Sequence, residues 1–262
     1  MGDCTLLVSS YDGGADLWEG FFCALKAQWP TFDLPVVLNT ESKQFSYPGI
    51  NIRSFHMYKS GENVAWGRRL IETLKKIETE YILFFLEDFW LDAPVDVDFF
   101  EKCRVWMRNN PDVACLSFQR TLGENIQDGR FERFEKRPQK GEYRMNCQAG
   151  LWRREKLIEY IRPHENPWEW EMYGSIRSQR YKDALYTLID GEKKVFSYDR
   201  GGVLYKGRWC RKVSDPLQEK YNLEIDYSKR GIWEDWVASK PKSKRKLLRG
   251  IKNRINIIRS LV

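Results

Sequence analysis

Six consecutive apolar residues, YILFFL at Tyr81–Leu86, run straight into two acids, Glu87 and Asp88. A strand with no polar position has no face to give to water. Only the middle of a largely parallel sheet covered by helices on both sides buries both faces. Other segments fit the same frame. Thr5–Ser9, Pro35–Leu38, Ile50–Phe55 and Val113–Phe118 read as strands, and Leu17–Gln28, Asn63–Glu78 and Asp98–Asn109 as helices with one apolar stripe each. Apolar runs alternating with 3.6-residue periodicity are the pattern of βαβ units. The expected fold class is therefore α/β, a mixed, mainly parallel sheet flanked by helices.

The second half is less regular. Gln119–Arg144 is polar and reads as a long excursion near a site. Arg153–Ile161 and Glu169–Gln179 read as helices, Ala184–Ile189 and Lys194–Tyr198 as short strands. A break at Ser239–Ser243 (SKPKS) divides the chain into a domain over 1–238 and a tail over 239–262.

Charge follows that division. Of the 44 Lys and Arg, nine fall within Lys240–Val262 beside no acid, leaving 35 against 37 Asp and Glu in the body. A near-neutral body argues against a nucleic-acid partner. In the tail, Leu247, Leu248, Ile251, Ile255, Ile258 and Val262 recur at helical spacing opposite Lys246, Arg249 and Lys252. An apolar stripe with a basic face predicts an amphipathic helix on an anionic membrane surface. A helix packed on the domain or on a second subunit is the plainer alternative. No run approaches the roughly 20 apolar residues that span a bilayer, and the N-terminus lacks a signal-peptide pattern. The expectation is a cytoplasmic protein, peripheral on the inner face of a membrane, with its six scattered cysteines reduced.

Three polar constellations carry candidate chemistry. Glu87 and Asp88 follow a central strand, and in open parallel sheets ligands bind at the carboxyl ends of strands. Two acids there can hold Mg²⁺ or Mn²⁺ against a diphosphate, or merely open a polar turn. The second, HENPWEWEMYGS, sets Glu165, Glu169 and Glu171 among Trp168 and Trp170. Pro167 followed by acids fits a helix N-terminus. A carboxylate beside those rings also suits a general base, and the rings suit acceptor stacking. Glu169 and Glu171 lie about 200° apart on a helix, so one of them acts, and the pattern leans to Glu169. The third, GGVLYKGRW, flanks Gly207 with Lys206 and Arg208, either cations for a departing diphosphate or an exposed hairpin. Walker and GxGxxG loops are absent, which argues against a P-loop ATPase or a Rossmann oxidoreductase.

Taken in order, SGENVAWGRRLIETLKKIETEYILFFLEDFWL, NCQAGLWRREKL, HENPWEWEMYGS and GGVLYKGRW resemble a succession found in GT-A glycosyltransferases, family-2-like in particular, of the bacterial capsule and lipopolysaccharide type. The resemblance spans roughly residues 5 to 210. It departs from the family where Phe89 and Trp90 follow Asp88 in place of a further Asp. It implies a nucleotide-sugar donor bound near Ser9, Ser10, Tyr11, Asp12, Arg69, Lys206 and Arg208. Glu87 and Asp88 would hold a divalent cation. Glu169 or Glu171 would be the base, and Trp168 and Trp170 would contact a saccharide or lipid-linked acceptor. The implied reaction is inverting sugar transfer in surface polysaccharide synthesis. A nucleotidyltransferase of related fold and a non-catalytic carbohydrate-binding or membrane-scaffold protein are the alternatives.

Overall fold

The computed structural model describes residues 2–55, 57–233 and 260. The expected linker and amphipathic tail helix lie outside them, Ser260 apart.

An eight-stranded sheet runs in the order β3-β2-β1-β4-β7-β5-β8-β6. Its strands are β1 (Cys4–Ser9), β2 (Val36–Asn39), β3 (Ile52–Ser54), β4 (Tyr81–Leu86), β5 (Val113–Ser117), β6 (Phe134–Lys136), β7 (Gly150–Arg153) and β8 (Ala184–Leu188). β1 pairs in parallel with β2 and β4, as do β2 with β3 and β5 with β8. β7 lies antiparallel between β4 and β5, and β6 antiparallel beside β8. The sheet is mixed and mainly parallel, as expected.

The continuously apolar strands feed two cores. Leu6 and Val8 of β1 join Leu83 and Phe85 of β4 on one face, against Phe21 and Phe22 of α1 (Ala15–Gln28) and Phe99 and Phe100 of α3 (Val97–Asn109). Leu7, Ile82 and Phe84 face the other way, against Trp66, Leu70 and Leu74 of α2 (Trp66–Lys75) and Leu157 of α4 (Arg154–Tyr160). This is the two-residue period of a strand splitting its side chains between layers.

Two differences from the sequence reading have physical causes. β6, three residues inside the polar stretch, and β7, four residues beyond it, are too short to show a period. Lys194–Tyr198, expected as a strand, makes only the isolated bridge Ala93–Ser197. Its apolar character serves the core directly, with Val195, Phe196 and Tyr198 fully buried.

The chain leaves β1 towards β2 and returns after β3 to the opposite side of β1, at β4. That reversal opens a crevice at the carboxyl ends of β1 and β4, so Ser10–Asp12 and Glu87–Asp88 emerge side by side. Trp90, just beyond the acids, lies across α1, where a methyl group on Gly20 would come within 2.2 Å of its ring. Overpacking of this kind costs about 1–3 kcal/mol. Gly20→Ala is expected to lose that much stability in urea unfolding, with a lowered midpoint and an unchanged slope.

Candidate functional site

The floor of the crevice is held by buried polar contacts. Ser9 Oγ accepts the Trp66 indole N–H at 2.9 Å, and Ser10 Oγ accepts that of Trp18 at 2.7 Å. Arg69, buried on α2, donates to the Ser10 carbonyl at 3.0 Å and pairs with Glu41 at 2.6 Å. Asp12 accepts the backbone N–H groups of Glu41, Ser42 and Lys43, each at 3.1 Å, and the Ser42 hydroxyl. That lashes the turn after β1 to the turn after β2 and holds the Asp12 carboxyl below its usual range, against the opposing effect of burial. Of the residues expected at a nucleotide, Ser9, Ser10, Asp12 and Arg69 thus build the floor, and Tyr11 stands half-exposed at its rim.

Beside this turn lies a depression of about 450 Å³ lined by Asp12, Gly13, Asp16, Lys43, Lys229 and Arg230. Arg230 is anchored over it by Asp16, at 2.7 Å from Nε, and by the Gly13 carbonyl. Neither Lys43 nor Arg230 figured among the residues singled out from sequence. Lys43 lies in the turn that follows β2, so the strand-end rule could have found it. Arg230 comes from 214 residues away in the chain and carries no local signal.

Glu87 and Asp88 extend towards different neighbours. A methyl group on Gly14 would sit 2.7 Å from Glu87 Oε1, and one on Gly202 would sit 2.5 Å from Asp88 Oδ2. Gly202, at φ 73°, also brings Val203 N–H to the Asp88 carbonyl at 2.9 Å. The glycine pair of GGVLYKGRW therefore serves close approach to an acid. Lys206 and Arg208 are exposed on the hairpin β9 (Leu204–Tyr205) and β10 (Arg208–Trp209). The inward residue of that hairpin, Trp209, packs on Trp90 at 5.8 Å between ring centroids.

Both acids resist ionising. Burial, then the Asp88 charge, pushes Glu87 up to about 8, with Arg230 and Arg69 pulling the other way. Burial likewise raises Asp88. Asp88 Oδ1 is buried and has no hydrogen-bond partner. Among the described residues no third His, Cys, Asp or Glu joins the two as a metal-ligand group. An orphaned carboxylate oxygen and two adjacent acids still fit Mg²⁺ or Mn²⁺ bound through one or two carboxylates, with phosphate oxygens and water as the remaining ligands.

The acids of HENPWEWEMYGS separate sharply. Glu165 is fully buried against Arg177 at 2.8 Å, a pair closed by Ser260, whose carbonyl accepts from Arg177 at 2.8 Å. Glu169, the acid the pattern favoured, closes a capping box: its carboxylate accepts the Asn166 N–H at 3.1 Å, and Asn166 Oδ1 accepts the Glu169 N–H at 3.0 Å. After the short turn Pro167–Glu169 (α5), the residues Trp170–Gly174 wind as a π-turn into α6 (Ser175–Ser178). Glu171 on this turn accepts the Cys147 N–H at 2.9 Å, and burial raises its carboxyl above the ordinary range. The Cys147 thiol, pushed well up by burial, lies in the negative fields of Glu171 and Asp88 together. Glu171 also lines a cavity of about 320 Å³ with Tyr143, Met172, Ser175 and Ile176. Trp170, expected against an acceptor, has no exposed surface; its indole donates to the Tyr160 carbonyl at 3.0 Å. Trp168 is 70% exposed.

No family model matches the chain, and no curated protein matches it. Among solved structures, S. aureus TarS (residues 1–349) is similar at 13% identity over 87% of this chain and 68% of that one, with a TM-score of 0.49. The galactosyltransferase LgtC, solved with donor and acceptor sugar analogues, is similar at 11% identity over 89% and 99%, with a TM-score of 0.46. CMP:2-keto-3-deoxy-manno-octonic acid synthetase is similar at 13% identity over 84% and 98%, with a TM-score of 0.43.

The raised carboxyls have a consequence for stability. A group whose folded-state pKa lies above its unfolded value keeps more protons when folded, so stability falls as pH rises between the two. For Glu87 that window runs from the ordinary 4.5 to about 8. The melting temperature is expected to decline across it. Asp88→Asn should flatten the decline and raise the melting temperature at pH 8 by about 2 °C or more, as measured by calorimetry.

Proposed function

We propose that this chain is a nucleotide-sugar-dependent glycosyltransferase of the GT-A type. The observation that carries this reading is that acids from two distant stretches, Asp88 and Glu171, both act on Cys147, Glu171 by accepting its N–H, next to a depression lined by Lys43, Lys229 and Arg230.

In this reading the nucleotide lies across the end of β1, its diphosphate between the acid pair and the cations of the depression. A divalent cation, when bound at Glu87–Asp88, supplies neutralisation of diphosphate charge. The acceptor occupies the cavity beside Glu171. Its hydroxyl oxygen attacks the anomeric carbon as Glu171 takes the hydroxyl proton, and the bond from that carbon to the diphosphate oxygen breaks. Arg230 and Lys43 stabilise the negative charge that grows on the leaving group. Attack opposite the leaving group inverts the anomeric centre. Glu171 suits the proton transfer because burial raises its carboxyl towards neutral pH, where a base is most effective. Glu169 does not, since its carboxylate already caps its own helix.

The finer assignments rest on sequence. The motif succession supports a saccharide or lipid-linked acceptor of a surface polysaccharide. The basic apolar-striped segment 240–262 supports peripheral attachment to an anionic membrane. Among the described residues no helix is long and apolar enough to cross a membrane. Full-length protein is expected to sediment with vesicles of anionic lipid and not with neutral ones; equal sedimentation with both removes the membrane role.

Donor use is tested by following nucleoside-diphosphate release from UDP- and GDP-sugars, with and without Mn²⁺. Glu171→Gln is expected to lower kcat by about 10²–10⁴-fold. Glu169→Gln, which keeps an oxygen for the Asn166 N–H, should leave kcat within about twofold. Full turnover in both Asp88→Asn and Glu171→Gln would sink the assignment. Pyrophosphate release from a nucleoside triphosphate would favour the nucleotidyltransferase alternative, and no nucleotide binding the scaffold.

A further inference from the structure

Apart from the crevice, the segment Gln119–Arg144 encloses a cavity of about 270 Å³, lined by Thr121, Asn125, Arg137, Pro138 and Arg144 among others. Both arginines are 98% buried, and neither pairs with a carboxylate among the described residues. Each is held by backbone carbonyls instead. Arg137 Nη1 donates to the Arg144 carbonyl at 2.5 Å. Arg144 donates from Nη1 to the carbonyls of Arg137 and Pro138, each at 3.2 Å, and from Nη2 to that of Asp183 at 2.8 Å. The nearby acids are committed or turned to solvent. Asp183 takes Lys156 and Tyr160, and Glu135 takes Asn125. Glu124 and Glu142, on the cavity wall, are exposed.

The unsatisfied groups form a pattern. Arg137 Nε and Nη2 are both buried without a partner, and so is Arg144 Nε. Nε and Nη2 share one edge of a guanidinium, the edge that takes two oxygens of a carboxylate or phosphate side by side. Two buried cations without counter-charge are costly, and the cost shows in Arg137, whose guanidinium is pushed down to about 10 by burial and by its neighbour Arg144, Cys115 opposing. An oxyanion would satisfy the open edge and offset both charges.

We infer that the Arg137–Arg144 cavity is a binding site for a phosphate group, a dianion matching the two guanidinium charges. Entry requires the wall at Leu122–Asn125 to move aside, because the open nitrogens are sealed from bulk water. That wall is exposed and turns at Gly123 with φ 95°. Gly141 and Glu142 line both this cavity and the one beside Glu171, so a phosphate here lies one loop away from the proposed acceptor seat. The site itself does not depend on the glycosyltransferase reading.

The test is titration calorimetry of the full-length protein with inorganic phosphate and with a hexose 6-phosphate, the free hexose as control. The wild type is expected to bind both phosphates at one site and not the hexose. Arg137→Lys, which keeps the charge and loses the two-pronged edge, should bind at least about tenfold more weakly. Lys102→Ala, an exposed cation on α3 outside both cavities, should bind within about twofold of wild type. Absence of saturable phosphate binding, or equal affinity in Arg137→Lys, overturns the proposal. If Arg137→Lys does not fold, hydrogen exchange of the wild type decides. Phosphate is then expected to protect amides of 121–125 and 137–144, and protection confined to 12–16 and 229–231 overturns the proposal.

Discussion

The desolvation of two carboxyl groups at the end of a fully apolar strand is the constraint on which the rest of the structure turns. β4 buries both faces, so whatever follows it emerges inside the protein and not at its surface. Glu87 and Asp88 are delivered there without enough counter-charge to ionise freely. Every nearby element answers to that deficit. Arg69 reaches in from α2, Arg230 from beyond α7 (Arg211–Tyr221), and Gly14 and Gly202 yield the space that side chains would deny the two carboxylates. A site that is costly when empty gains most from a ligand bringing positive charge, and in the proposed reading a divalent cation escorting a diphosphate supplies it.

The acids near the second half of the chain illustrate how local backbone form sorts similar residues into different work. In a regular α-helix Glu169 and Glu171 point to opposed directions, and nothing in the sequence says which faces the crevice. The capping box consumes Glu169 because Asn166 stands three residues before it, a pattern present in the sequence as N-P-W-E. The π-turn at Trp170–Gly174 then carries Glu171 to the Cys147 amide. Such turns are rare and are found often at functional sites. The one here also buries Trp170 and Tyr173, so the packing of the helix, and not substrate, accounts for its aromatic content.

The parts of this protein legible in the sequence are those governed by short-range pattern. The buried strands β1, β2, β4 and β5, the helices between them and the position of the acid pair all follow from apolar runs and their period. What escaped has a common physical cause, dependence on tertiary contacts that no local pattern encodes. Lys194–Tyr198 is apolar enough for a strand yet makes only an isolated bridge, at Ser197. Ser9 and Ser10 look like ligand groups but are claimed by the indoles of Trp66 and Trp18, 57 and 8 residues away. Arg230 has no motif at all and owes its place to Asp16.

The distribution of cations extends the same logic to the whole body. A nearly neutral sequence conceals that its buried charges are not locally balanced. Glu165 and Arg177 cancel within one cluster, whereas Glu87 and Asp88 form an acidic excess and Arg137 and Arg144 a basic one. Buried like-charged pairs are tolerated only where something else offsets them, and here the two excesses flank a single loop system running from Gln119 to Gln148. A substrate carrying both a cation-escorted diphosphate and a further phosphate would find complementary charge at both ends of that system. If both proposed sites hold, the interior electrostatics of the chain suit ligands of higher charge than its surface composition suggests.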